Sequence, residues 1–103
     1  MTSIAEWPAT ERPRERLFAH GAAALTDAEL IAVVLGVGNS RASALDLARE
    51  LLGRHHGLAG LFGEPLAKLA GAHVVGPAKA AKLQAGGELA RRLLREAMSY
   101  GGV

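Results

Sequence analysis

Gly76, Pro77, Lys79 and Lys82 stand close together in the run Val74-Val75-Gly76-Pro77-Ala78-Lys79-Ala80-Ala81-Lys82-Leu83, and their types suit the capture of a phosphate. Glycine reaches backbone conformations that other residues avoid. Proline suits the first turn of a helix, where its missing N–H would have had no partner. The N–H groups that follow then point out of a helix N-terminus, where partial positive charge gathers and an anion can sit. Lys79 and Lys82 add full charges beside that end. The pattern is that of a helix-hairpin-helix, which grips a nucleic-acid backbone without reading bases. The plainer reading is ordinary turn chemistry followed by two solvated lysines.

A second copy of the pattern lies 38 residues upstream. The run from Gly36 to Leu45 aligns with Val74 to Leu83 without a gap, setting Gly38 on Gly76, Arg41 on Lys79, Ala42 on Ala80 and Leu45 on Leu83. Further out, Ile31 falls on Leu69 and Leu51 on Leu89. A repeat of this length is one helix-turn-helix unit, which buries its apolar face only against a neighbour. Two such units related by a pseudo-twofold would present two hairpins on one side, spaced for the two strands of a duplex.

The elements that must position these residues are helices. Half of the 103 residues are hydrophobic but only 4% are aromatic, so the core has to be Leu, Ala, Val and Ile, a mixture that favours helix over strand. No stretch alternates with period two. One domain with a modest core is expected at this length. Residues 1–12 read as an arm with Trp7-Pro8 laid over the core edge, 13–97 as the helical domain and 98–103 as a tail or linker. A first helix is expected from Pro13 to about His20, capped by Gly21. Thr26 with Glu29 three residues on forms a capping box for the second, whose Leu30, Ile31, Val34 and Leu35 should face inward before Gly36 ends it. The third spans about Ala42 to Leu52, with Gly53 as its stop. A short turn of helix seats Leu58, Leu61 and Phe62, and another follows Glu64-Pro65 to about Ala70. The last runs from Pro77 to roughly Ala97, with Leu83, Gly87, Ala90 and Leu94 on one face. Gly86-Gly87 in its interior predicts a close helix neighbour.

Composition excludes several kinds of chemistry. There is no cysteine, hence neither a disulfide scaffold nor a thiolate metal site. His20, His55, His56 and His73 lack a carboxylate at metal-ligand spacing, and no nucleophile–base, Walker-type or zinc-protease motif is present. No catalytic residue, metal or cofactor is therefore expected. Apolar runs are too short for a bilayer crossing and no signal peptide opens the chain, so a cytoplasmic protein without membrane contact is expected. The net charge of +2 is unevenly placed, with three arginines against five acids in residues 1–40 and nine basic residues against five acids thereafter. Arg12, Arg14 and Arg16 alternate with Glu11 and Glu15, which favours local ion pairs. Arg91, Arg92 and Arg95 fall away from the apolar stripe, as a solvated face.

Four motifs taken in order resemble RadC-type proteins: Trp7-Pro8 through Glu11-Arg12-Pro13-Arg14-Glu15-Arg16-Leu17, Ala24-Leu25-Thr26-Asp27-Ala28-Glu29-Leu30, Ser43-Ala44-Leu45-Asp46-Leu47-Ala48, and Gly76-Pro77-Ala78-Lys79-Ala80. In that family this region is the N-terminal helical domain, ahead of a JAB/MPN-type domain with a zinc metallopeptidase-like site. Two departures stand out. Val74 replaces the first glycine of the family's Gly-hydrophobic-Gly-Pro hairpin, and the chain stops before any His-x-His and downstream Asp that would hold zinc.

The sequence therefore predicts an all-α domain of five to six helices with one clear and one plausible helix-hairpin-helix. The expected function is non-sequence-specific DNA binding in a repair or recombination setting. The N–H groups of Gly76, Ala78 and Lys79 with the Lys79 and Lys82 side chains would hold one phosphate run, and Gly38, Ser40 and Arg41 the other. The rival expectation is a protein-interaction or structural domain that keeps the fold without DNA contacts. An exposed apolar patch near Leu58–Phe62 would favour it. A JAB/MPN-type domain of the parent protein is the further partner that the resemblance implies.

Overall fold

In the computed structural model the described residues are 12–36, 44–71 and 75–100, and their regular elements are all helices, with no strand among them. Six α-helices follow in order: α1 (Pro13–His20), α2 (Asp27–Leu35), α3 (Ala44–Arg54), α4 (Leu58–Gly63), α5 (Leu66–Ala70) and α6 (Gly76–Tyr100). A 3-10 turn over Ala22–Ala24 links α1 to α2. The chain divides into two compact units, Met1–Gly63 and Glu64–Val103, where the sequence predicts one helical domain. The division falls between the two copies of the repeat.

In the first unit, local signals set the helix ends. Pro13 opens α1, and the Gly21 N–H, at φ +83°, closes it on the Leu17 carbonyl at 2.9 Å. Thr26 caps α2 as the sequence predicts. Its Oγ1 accepts the Glu29 N–H at 3.2 Å, and Glu29 Oε1 accepts the Thr26 N–H at 2.9 Å. Gly36, also at φ +83°, ends α2 by donating to the Ala32 and Val33 carbonyls. Helices α2 and α3 pack together, as do α3 and α4.

The buried residues of this unit include Ile31, Ala32 and Leu35 of α2, Leu45, Leu47, Ala48 and Leu51 of α3, and Leu61 of α4. Val34 is exposed, contrary to the expectation that it faces inward, and Ala32 takes its place because it shares a helix face with Leu35 and Gly36. Leu58 is likewise exposed while Leu61 is fully buried, so the expected α4 seat is made by Leu61 with Phe62 half-buried.

Gly53 does not stop α3. Nothing crowds that position, and a helix interior tolerates glycine at a modest cost. The reversal comes three residues later, where His56 at φ +63° and Gly57 at φ +108° take up left-handed backbone and the Gly57 N–H reaches back to the Leu52 carbonyl at 2.9 Å.

In the second unit α5 packs on α6. Leu69 of α5, Val75 in the turn, and Ala80 and Leu83 of α6 are buried. Gln84 Nε2 donates to the Glu64 carbonyl at 2.6 Å, and Lys68 Nζ lies 3.4 Å from Glu64 Oε1, so Glu64, two residues ahead of α5, is tied to both helices. α6 runs to Tyr100, three residues beyond the predicted end. The expected neighbour at Gly86 is absent, since a Cβ added there would meet nothing within 4 Å. Gly87 beside it is buried.

Candidate nucleic-acid interface

The start of α6 carries the strongest phosphate-binding pattern of the sequence, and the structure describes it from Val75 onward. Gly76 is the first helical residue and has φ +74°. A Cβ there would meet no atom within 4 Å, so glycine is required for its backbone angle and not for space. In a helix opening at Gly76 the N–H groups of the first three helical residues have no acceptor within the helix, and Pro77 supplies none. The two left are those of Gly76 and Ala78. Val75 is buried and Ala78 exposed, so the chain is anchored on one side of the turn and open on the other.

Lys79 and Lys82 stand three residues apart on the helix surface, which makes them neighbours. Lys79 is half-buried and Lys82 exposed, while Ala80 and Leu83 between and beyond them are buried. Burial of that pair sets the roll of α6 and thereby brings the two lysines to one flank of its first two turns. The Gln84–Glu64 hydrogen bond holds the following turn.

The companion site, Gly38, Ser40 and Arg41, lies outside the described residues, as do Val74, His73 and Trp7-Pro8. What can be compared is the frame around the two copies. Ile31 and Leu69 are both buried, and so are Leu45 and Leu83, as the alignment of the repeats requires. The equivalence ends at the next pair. Leu51 is 1% exposed, whereas Leu89 is 67% exposed.

Several cations engage carboxylates. Glu88 receives Arg92 at 3.0 Å, Arg91 at 3.2 Å and Arg95 at 3.6 Å. Hydrogen bonds from Arg92 and then Arg91, with their positive charge, outweigh the slight loss of hydration and hold the Glu88 carboxyl below its usual range. Sequence reading treats the three arginines only as a solvated face. Their spacing of three, four and seven from Glu88 is the signal that marks them as one cluster. Arg14 pairs locally with Glu15 at 3.2 Å, as expected, but Arg16 does not. It reaches Glu29 of α2 at 2.7 Å and the Ala24 carbonyl at 3.3 Å.

Among the described residues no group of three or more His, Cys, Asp or Glu side chains could hold a metal ion, and no helix is long and apolar enough to cross a membrane.

Among the described residues an all-helical fold with a glycine-opened, lysine-bearing helix defines the class, and comparison with known proteins supplies the family. Residues 4–81 match the family described as UPF0758 N-terminal. The chain belongs to that family, the N-terminal region of the RadC-type proteins that its motifs resemble. It is 55% identical over 96 residues to a UPF0758 protein of Cupriavidus taiwanensis, covering 93% of this chain and 42% of that protein. A UPF0758 protein of Dechloromonas aromatica is 53% identical over 98 residues (94% and 43% of the two chains), and one of Ralstonia nicotianae 50% identical over 99 residues (96% and 44%). The chain thus spans under half the length of these curated relatives. No solved structure matches it.

Proposed function

We propose that this chain holds the sugar–phosphate backbone of DNA without reading its sequence, in a repair or recombination setting. One observation carries the reading. Gly76 adopts left-handed backbone at the first residue of α6, a 25-residue helix, with Lys79 and Lys82 in its first two turns. Unsatisfied N–H groups, a helix dipole and two ammonium groups then act on the same anion. Gly38, Ser40 and Arg41 of the first copy are proposed as a further phosphate contact.

The reading is tested by titrating the chain against fluorescent duplex and branched DNA at low and at physiological salt. Binding that weakens with salt and that Lys79→Ala with Lys82→Ala reduces supports it. Binding unchanged by both substitutions removes Lys79 and Lys82 from the interface, and no binding even at low salt ends the DNA reading for this chain.

The rival is a protein-interaction region without DNA contacts. The patch expected to favour it, Leu58–Phe62, is poor support, because Leu61 is buried and Phe62 half-buried. The distal half of α6, with Leu89, Leu93, Leu94 and Met98 exposed, is the observation on its side. Any metallopeptidase-like activity is proposed for the portion that the relatives carry beyond the matched region.

A further inference from the structure

We draw no further inference here: the strongest candidate, the cluster of Arg91, Arg92 and Arg95 on the exposed polar face of α6, turns its charge onto Glu88 of the same helix, and nothing in the structure shows a ligand or partner that draws on it.

Discussion

Arg16 of α1 and Glu29 of α2 are joined by a 2.7 Å charge-assisted hydrogen bond, and the same Glu29 closes the capping box on Thr26 with its other carboxylate oxygen. One side chain thus terminates a helix and fastens a second helix to it. Glu29 is mostly covered and Arg16 about two-thirds covered, which lifts the pair above the near-zero value of a solvated surface bridge. Glu29→Ala keeps the Thr26 side-chain cap but loses the reciprocal half of the capping box and the bridge together, and should cost about 1–2 kcal/mol. Glu50→Ala, which removes only the exposed Arg54 pair, should cost at most about 0.5 kcal/mol. Thermal unfolding of the two variants side by side measures the contrast.

The same carboxylate gives stability a pH dependence. Burial by itself would raise the Glu29 pKa, but the Thr26 N–H and the Arg16 guanidinium together overcome it and leave the group below its ordinary value of 4.5. A carboxyl with a depressed pKa in the fold binds protons more readily when the chain is unfolded. Its contribution is therefore complete above the ordinary carboxylate range and is lost as pH falls through the folded-state value. Urea titrations of wild type and Glu29→Gln should show a stability gap at neutral pH that closes in acid. A gap that holds or widens in acid would contradict the assignment.

Glycines on the two sides of the repeat boundary should respond in opposite senses to a methyl group. Gly86 lies inside α6 with open space around its Cβ position, so Gly86→Ala should stabilise by about 0.5–1 kcal/mol. At Gly60 of α4 the added carbon would run into the His55 carbonyl oxygen, and Gly60→Ala should destabilise the first unit. Denaturation midpoints decide both.

Leu51 and Leu89 occupy equivalent places in the two copies and test how far the repeat extends. Leu51→Ala opens a cavity and should cost about 2–5 kcal/mol. Leu89→Ala, measured on dilute chain, should cost less than about 0.5 kcal/mol. Similar losses would mean that Leu89 is covered in the monomer.

For the proposed DNA contact, the slope of log affinity against log salt should fall by about 1 for each lysine removed at 79 or 82. Gly76→Ala adds a side chain at φ +74°, which costs about 1–2 kcal/mol of local strain, and should weaken binding while both charges remain. A variant with unchanged affinity would separate the helix start from the phosphate.

What could be read from the chain alone was local. Pro13, Gly21, Thr26 with Glu29 and Gly36 each act within four residues of the helix end they set, so their spacing sufficed to place α1 and α2. The all-α class followed from composition, and the equal burial of Ile31 with Leu69 and of Leu45 with Leu83 matched the repeat read from the letters. The candidate phosphate site was legible for the same reason. A glycine, a proline and two lysines within two helical turns need no distant partner to define a helix start. The remainder depended on residues far apart in the chain. Arg16 has Glu15 beside it but takes Glu29, thirteen residues on, because the packing of α1 on α2 brings that carboxylate closer. Leu51 and Leu89 look alike in sequence, yet the fold buries the first and leaves the second exposed. Periodicity specifies which face of a helix is apolar, and tertiary packing decides whether anything covers it.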